Sequence, residues 1–438
     1  MMKKLVCLCL SLVFIISLCG CDVWVTDTAE LLSPPLPLED LYPISKEIAA
    51  TAGGAYTLQY PSRGAYRSAI LQKDIDNDGV QEAFAFYSMV DGEVITMHIN
   101  LIDYIKGKWI SVAKQNIIAG GVNQIDFCDF DNDGKLEILV GWEVYGTSEM
   151  QLAVYSYDSN SLTQRFLQKY THFVTCDLDL DEQRELFLIS TNAVEEMNTA
   201  VSYVFEDEGF EMRYSCELDS TVKSINEPIV AELSSGRPAV YIDEIKGVGA
   251  ITEVIFVDKN RFVNPFFDPV LRETSVTLRP STFTIADING DGILEIPIQK
   301  NVPSVSKSTV NEKLYLTNWC SFNGETLTNQ QTNMINVNDG YSYLVTPKWA
   351  DSIAVLKDTD KRIREIYEYD EETMTVGESL IYFGAVSAND WDAQKYKKAG
   401  YKKILSTGKD VFFCKISKKA EQQGITFESV KANFKLFE

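Results

Sequence analysis

Short segments with acidic residues at alternate positions are the part of this sequence with the clearest chemical use. Four segments, the first to fourth acidic loops, carry a carboxylate or amide at positions one, three and five and a glutamate at position nine. Calcium is a hard cation that takes about six to eight oxygen ligands, and alternate oxygens of one tight loop can converge on it. The spacing therefore predicts calcium ligands at Asp74, Asp76, Asp78, Glu82; Asp129, Asp131, Asp133, Glu137; Asp177, Asp179, Asp181, Glu185; and Asp287, Asn289, Asp291, Glu295.

A glycine after the fifth position strengthens three of these loops. Gly79, Gly134 and Gly292 stand where a turn calls for a positive φ, whereas the third loop has Glu182 there and is the weakest candidate. An EF-hand would place its glutamate at position twelve between helices, and that interpretation fails. The remaining alternative is that Asp and Asn make side-chain-to-backbone turns between strands. Three loops in register favour metal, and carboxylates crowded without a cation would repel one another.

The loops return with a period of about fifty residues, which is the spacing expected of propeller blades. Between the third and fourth loops the interval doubles, and residues 229–242 keep the flanking apolar segments without the carboxylates, as a degenerate copy. Short strands are predicted before and after each loop, for example at 68–71 and 83–87, with two further β-rich segments in each unit. The sequence predicts a mainly β fold: a β-propeller of about five to six four-stranded blades over residues 55–338, followed by a small α+β domain at 339–438. Residues 426–434 of that domain are predicted to form a closing helix.

The acidic loops, with residues 60–70 leading into the first one, resemble the FG-GAP and VCBS-type repeats of integrin-like propellers. They resemble more closely the VCBS repeat-containing lipoproteins of Firmicutes, over about residues 30 to 340. The resemblance implies an architecture and does not identify a ligand.

The amino terminus has the layout of an export signal. A basic start at 1–4 precedes an apolar run at 5–18, which is shorter than the roughly 20 residues of a spanning helix. Leu18, Cys19, Gly20 and Cys21 resemble the lipobox of bacterial lipoproteins, although a smaller residue is commoner at the position of Cys19. The resemblance implies a signal peptide at 1–20, a lipid on Cys21 and a chain anchored to the cell membrane, facing outside the cytoplasm. An uncleaved anchor is the alternative. Residues 21–54 are expected to form a linker and a short helix.

The charge and the cysteines restrict the partners and the compartment. The formal net charge of -23 makes nucleic acid an unexpected partner and suits the capture of divalent cations. Five cysteines are scattered through the body of the chain and do not form a disulfide framework. Cys128 and Cys176, each just before an acidic loop, are expected to pack in the core as small hydrophobic residues.

Few residues are candidates for catalysis. His98 and His172 are the two histidines, both in β-rich segments where a structural role is expected, and no phosphate-binding glycine loop is present. The leading hypothesis is a calcium-stabilised binding or adhesion module for a protein or glycan ligand. One alternative is a carbohydrate-active hydrolase or lyase on a propeller scaffold, because that chemistry needs only two carboxylates. Another is a structural envelope protein.

Overall fold

A computed structural model describes residues 38–91, 94–158, 160–192, 197–206, 209–305 and 314–437. The export leader, Cys21 and the first part of the linker lie outside these ranges. Strands account for 56% of the structure, so the predicted mainly β fold of four-stranded antiparallel sheets is confirmed. Within the described ranges, no helix has both the length and the apolar character needed to cross a bilayer. The described residues divide into two compact units: those up to residue 127 together with 134–167, and residues 128–133 together with those from 168 onward.

The short helix expected after the linker is present as α1 (Leu38–Ala52). It buries Ile44 and Ile48 against the first sheet. That sheet has the order β1-β3-β4-β5, with β2 also paired to β3, and the second has the order β6-β7-β8-β9. The strands are β1 (Thr57–Leu58), β2 (Ile70–Lys73), β3 (Glu82–Asp91), β4 (Val94–Ile105), β5 (Lys108–Ile117), β6 (Gly121–Cys128), β7 (Glu137–Glu143), β8 (Met150–Asp158) and β9 (Ser161–Tyr170).

Two further sheets and a small hairpin follow. One sheet has the order β10-β11-β12-β13, and the other has β14-β16-β17-β18 with β15 paired to β16. The strands are β10 (His172–Cys176), β11 (Glu185–Asn192), β12 (Met197–Glu206), β13 (Gly209–Leu218), β14 (Ser224–Ile225), β15 (Ile229–Glu232), β16 (Pro238–Lys246), β17 (Gly249–Val257), β18 (Phe262–Val263), β19 (Phe267–Asp268) and β20 (Glu273–Thr274). The degenerate copy predicted at 229–242 is thus a pair of strands joined by a turn, as expected.

The last two sheets have five strands each, in the orders β21-β22-β23-β24-β30 and β25-β26-β27-β29-β28. Their strands are β21 (Ile296–Val302), β22 (Leu314–Phe322), β23 (Leu327–Asn336), β24 (Tyr341–Val345), β25 (Ile353–Asp358), β26 (Ile363–Asp370), β27 (Thr375–Ser387), β28 (Lys402–Ser406), β29 (Asp410–Ile416) and β30 (Phe434–Leu436). The helices are α2 (Ala393–Lys398), α3 (Lys418–Gln422) and α4 (Phe427–Ala432), with short 3-10 turns at Pro347–Trp349 and Ala388–Asp390.

Position in the sheet explains the two kinds of strand sequence. Strands β7 and β16 are buried along most of their length on both faces, so each contains an apolar run, at 138–142 and at 239–242. Strands β9 and β13 at the sheet edges are largely exposed, with few buried positions. The first three acidic loops each connect two paired strands of one sheet, β2 to β3, β6 to β7 and β10 to β11. The strand predicted before the fourth loop is not formed, and only an isolated bridge between Ala286 and Glu295 pairs the two ends of that loop.

The end of the chain differs from the sequence-based expectation. A closing helix was predicted over 426–434, but α4 ends at Ala432 and Phe434 starts β30, which pairs with β24. The Phe434 side chain is 5% exposed and its ring lies 4.6 Å from that of Tyr341, so burial of the ring favours the strand over another helical turn. Strands β24 and β30 belong to the sheet that begins with β21 at Ile296. This sheet therefore continues past the domain boundary that the sequence predicted between residues 338 and 339.

Candidate metal-binding loops

The first acidic loop (residues 74–82) lies between β2 and β3 and brings its four predicted ligands together. Carboxylate oxygens of Asp74, Asp76, Asp78 and Glu82 lie within 4.8 Å of one another. The backbone turns through positive φ at Asn77 (60°) and Gly79 (87°). The Gly79 N–H donates to Asp74 Oδ2 at 3.0 Å, so the glycine after the fifth position closes the loop as the sequence predicted.

The charges of the first loop are not balanced by basic side chains. In the part of the chain that the structure describes, none of its four acids forms an ion pair, and Asp74 Oδ1 is shielded from solvent without accepting a hydrogen bond. Burial, together with repulsion by Asp76, raises the pKa of Glu82 to about 7. Asp103 on β4, which the sequence analysis did not select, adds to this repulsion. Such an environment favours a bound cation.

The ninth-position glutamate has the same backbone contact in three loops. Its Oε2 accepts the N–H of the second loop residue: Ile75 donates to Glu82 at 2.8 Å, Leu178 to Glu185 at 2.9 Å and Ile288 to Glu295 at 3.0 Å. One carboxylate oxygen thus holds the loop closed. In the third loop the other oxygen, Glu185 Oε1, has no hydrogen bond within the described residues, whereas in the fourth loop Glu295 Oε1 accepts the Asn289 side-chain amide at 3.3 Å. The glutamate at position nine can therefore close the turn with one oxygen and still serve as a metal ligand.

The second acidic loop (residues 129–137) gathers three of its four predicted ligands. Oxygens of Asp129, Asp131 and Glu137 lie within 4.8 Å of one another, and Asp133 does not belong to that group. The N–H of Asp133 donates to Asp131 Oδ1 at 3.2 Å, so this residue shapes the turn. Burial, with Asp133 and Asp129 nearby, raises the pKa of Asp131.

The third acidic loop (residues 177–185) also gathers three carboxylates. In addition, a basic side chain from another strand pairs with its acids. Asp177, Asp179 and Glu185 form the cluster. Arg213 from β13 binds Asp181 Oδ2 at 2.7 Å and Asp179 Oδ2 at 3.2 Å. Although burial acts to raise the pKa of Asp181, the Gln183 N–H and Arg213 together hold it below its usual range. Asp179 Oδ1 and Glu185 Oε1 remain shielded from solvent without a hydrogen bond in the described residues.

The glycine missing from the third loop is not required for the turn. Glu182 takes a φ of 70° in its place, and its N–H donates to Asp177 Oδ2 at 3.1 Å. We expected this loop to be the weakest candidate for a metal site because it lacks the glycine. The structure gives a different reason, which is that Arg213 already pairs with its acids. Arg213 lies 34 residues beyond Asp179 in the sequence, so loop spacing gave no signal for it.

The fourth acidic loop (residues 287–295) does not gather three acids, although all of its residues are described. Three backbone amides, those of Gly292, Gly290 and Asp291, donate to the Asp287 carboxylate. Burial acts to raise the pKa of Asp287, but these hydrogen bonds together lower it. The Asn289 side-chain amide donates to Asp291 Oδ2 at 2.9 Å. This loop has the form of a hydrogen-bonded turn, the alternative that the sequence left open.

The histidines and core cysteines have structural contacts, as predicted. His98 stacks on Tyr87 with ring centroids 5.0 Å apart, and burial, with Lys114, lowers its pKa. His172 lies 3.0 Å from the Ile225 carbonyl oxygen. Cys128 and Cys176 are buried in the core, and burial raises the pKa of Cys176.

A second set of acids, which the sequence analysis missed, is buried around β16 and β17. Asp243 is paired with the fully buried Arg279 at 2.8 Å. Asp219 is paired with Lys246 at 2.7 Å. Both oxygens of Glu244 are shielded from solvent without a donor, and burial, followed by the charge of Glu253, raises the pKa of Glu244 well above its ordinary value. No short repeat marks these residues, which explains why spacing alone did not find them.

Similar proteins were sought by family and by structure. No protein-family model matches this chain, and no curated protein matches it. The resemblance to FG-GAP and VCBS repeats therefore rests on the loop residues themselves.

Among solved structures, the chain is similar to three proteins of low identity. A rhamnogalacturonan lyase of Bacillus licheniformis is 9% identical, over 74% of this chain and 90% of that one, with a TM-score of 0.31. A periplasmic gluconolactonase of Pseudomonas aeruginosa is 12% identical, over 74% and 88%, with a TM-score of 0.27. The Dos1 propeller is 11% identical, over 82% and 81%, with a TM-score of 0.27. TM-scores this low leave the description of the fold to the strand pairings given above.

Proposed function

We propose that the chain is a calcium-stabilised binding module, attached to a membrane through a lipid on Cys21 and facing outside the cytoplasm, whose ligand is a protein or a glycan. One observation carries the calcium part of this proposal. The first acidic loop places four carboxylates within 4.8 Å of one another without an ion pair among the described residues. Asp74 Oδ1 has no hydrogen bond there, and it is the kind of hard oxygen that calcium takes.

The order of calcium preference among the loops follows from their charges. The first loop offers four clustered carboxylates, the second offers three, and the third offers three that share their surroundings with Arg213. The fourth loop, with the Asn289 amide donating to its neighbour, is expected to bind calcium least. Calcium in the first two loops would join β2 to β3 and β6 to β7, which makes the ion part of the fold and not a catalyst.

The calcium proposal is tested by thermal unfolding in calcium and in excess chelator. Calcium is expected to raise the melting temperature and magnesium to do so far less, because magnesium keeps its water and demands octahedral geometry. Asp74→Asn should remove part of the rise. Glu232→Gln is the matched control, since Glu232 is an exposed acid of the degenerate copy. Equal melting temperatures in calcium and in chelator would refute the proposal.

The anchor is tested separately, in cells that express the full chain. The wild-type protein is expected to incorporate labelled fatty acid and to sediment with membranes, and Cys21→Ser should do neither. A Cys21→Ser protein that stays with membranes after signal processing would contradict lipidation at this residue.

Binding is tested on glycan and protein arrays together with a turnover assay on the bound polysaccharides. Saturable binding without turnover supports a binding module over a hydrolase or lyase.

A further inference from the structure

Positive charge is concentrated at the end of this acidic chain. Residues 391–438 contain eleven lysines and five acidic residues, a formal charge of +6. The preceding 390 residues hold 29 basic and 58 acidic side chains, a formal charge of -29. Seven of the eleven lysines lie at 395–415, on α2, β28, β29 and the turns next to them, so the positive charge is confined to the β29-β28 edge of the sheet β25-β26-β27-β29-β28. Strands β25 and β26 at the other edge carry acids, among them Glu365 and Glu368.

The two faces of this sheet have different roles. Phe383, Phe412 and Cys414 point into the core. The opposite face carries Phe413 and Lys415 of β29. Lys403 is paired directly with Phe413 across the strands, and Tyr382 is paired with Lys415. Because directly paired residues share a face, lysine and aromatic side chains alternate there.

Aromatic rings cover this outer face. The aromatic cluster consists of Tyr382, Trp391, Tyr396, Tyr401 and Phe413. Trp391 stacks on Tyr396 with centroids 4.4 Å apart and an interplanar angle of 20°, and the rings of Tyr396 and Tyr401 lie 4.7 Å and 5.2 Å from that of Phe413. The four rings other than Phe413 are half-buried, so each keeps part of its surface in solvent.

A glycine allows the rings to lie against the strand. A Cβ on Gly384 would stand 2.5 Å from Cζ of Phe413, so only glycine leaves room for that ring. The cluster is therefore a fixed platform and not a set of freely moving side chains.

The lysines around the platform are not neutralised by the protein. Lys395, Lys397, Lys398 and Lys403 are exposed, and within the ranges the structure describes none of them has an ion pair. Lys415 Nζ lies 5.6 Å from the centroid of the Tyr401 ring. The nearby acids have other partners: Asp392 accepts two backbone amides of α2, and Asp410 binds Arg362 at 2.7 Å. Glu365, which is paired with Tyr382 across the strands, accepts the hydroxyls of Tyr367 and Ser379.

We propose that the aromatic cluster and its lysines bind an anionic polysaccharide, a chain of pyranose rings that carry carboxylates. The proposal rests on the binding function proposed above and names its ligand class and surface. Flat, half-exposed rings can stack against the C–H faces of sugars, and lysine ammonium groups can pair with the carboxylates.

Other anionic partners fit this surface less well. Burial in a bilayer needs apolar side chains that protrude, and none of the five rings is among the largely exposed hydrophobic residues of the described chain. Double-stranded DNA carries about one charge per 1.7 Å, and a polymer that dense would be repelled by the remaining formal charge of -29. A carboxylated glycan has its charges farther apart.

The test compares carboxymethyl-dextran with unmodified dextran, two polymers of one backbone that differ in charge. Binding of the full chain is measured by calorimetry at low and at physiological salt. The wild-type chain is expected to bind carboxymethyl-dextran, more weakly as salt rises, and to bind dextran at least tenfold more weakly.

The variants separate this surface from the rest of the chain. Lys403→Gln combined with Lys415→Gln is expected to weaken binding at least tenfold without changing the melting temperature, because both side chains are exposed. Lys46→Gln combined with Lys108→Gln, a matched pair of exposed lysines elsewhere, should stay within twofold of the wild-type chain. Tyr396→Leu, which keeps the charge, should also weaken binding.

Three outcomes would overturn the proposal: equal binding of the two polymers, equal weakening by the two lysine pairs, or binding only to vesicles of phosphatidylcholine with one quarter phosphatidylglycerol. The calcium proposal is distinguishable, since it is read from the melting temperature of Asp74→Asn. Loss of the calcium effect with polysaccharide binding intact would refute calcium alone, and the reverse result would refute this surface alone.

Discussion

The first and third acidic loops have the same ligand spacing, but they differ in what balances their carboxylates. In the first loop, four acids lie within 4.8 Å of one another and none has an ion pair in the described residues. In the third loop, Arg213 reaches from β13 to both Asp179 and Asp181. A motif can thus keep its backbone turn while its need for an external cation changes.

The buried acids around β16 and β17 extend this comparison. Asp243 and Asp219 have internal bases, Arg279 and Lys246, whereas Glu244 has neither a base nor a donor to its oxygens. A proton is the remaining way to neutralise Glu244 beside Glu253, since burial raises its pKa. Crowded carboxylates in this chain are therefore balanced by a base or by a proton, and we propose a metal ion for the first loop.

The largest effect is expected when an internal base is removed from the core. Arg279→Met leaves Asp243 buried without its partner, and such a change costs about 3–5 kcal/mol of unfolding free energy. Urea unfolding measures the loss. Combining it with Asp243→Asn should recover much of the stability, because no charge is then left unpaired. A single variant that loses under about 1 kcal/mol would show that the pair is not what keeps this region folded.

The stabilisation by calcium should depend more on the acids of the first loop than on those of the third. At a calcium concentration about a hundredfold above the Kd, each occupied site adds about 2.7 kcal/mol to the free energy of unfolding. Asp76→Asn should remove most of this gain at the first loop. Asp179→Asn should remove less, because Arg213 already balances part of the charge there. The readout is the difference in melting temperature between calcium and chelator for each variant, and an equal loss in both variants would remove the distinction.

The pH dependence tests neutralisation by a proton. Glu244 has a folded-state pKa well above its ordinary value of 4.5. Its contribution to the free energy of unfolding is therefore present below about pH 4.5 and is lost as pH rises through the folded-state pKa. The groups that raise this pKa are Glu253, Asp219 and Asp243. Glu244→Gln should flatten the decline of the unfolding free energy with rising pH. At pH 8 this variant should be more stable than the wild-type chain by about 1–3 kcal/mol. Chemical unfolding in chelator from pH 4 to 8 measures this, and an unchanged slope would contradict it.

The smallest effect is expected at Arg213, because this side chain is 31% exposed. Arg213→Gln should cost about 1 kcal/mol in chelator, as expected for a partly exposed pair. In calcium the cost should shrink, since the ion can take over the charge of Asp179 and Asp181. A cost that is the same in calcium and in chelator would show that this loop has no place for the ion.

Several features of the fold were predictable because they depend on local spacing. The acidic loops, the strands on either side of the first three loops, the degenerate copy and helix α1 follow from period, turn residues and apolar runs. The strand predicted before the fourth loop is not formed. The closing helix predicted at 426–434 is present but ends two residues early, at Ala432, because Phe434 is drawn into a sheet and packs on the distant Tyr341. The ligand sets were predictable as candidates, but the exclusion of Asp133 and the hydrogen-bonded form of the fourth loop depend on side-chain orientation.

The sequence by itself determined where the oxygens occur, because alternate residues in a nine-residue turn are neighbours whatever surrounds them. The tertiary structure decided which charges meet a base. Arg213, Lys246 and Arg279 lie far along the chain from Asp179, Asp219 and Asp243, and only the packing of strands brings them within hydrogen-bonding distance. Electrostatic balance depends on distance and burial in three dimensions, so equal spacing in the sequence leaves it undetermined.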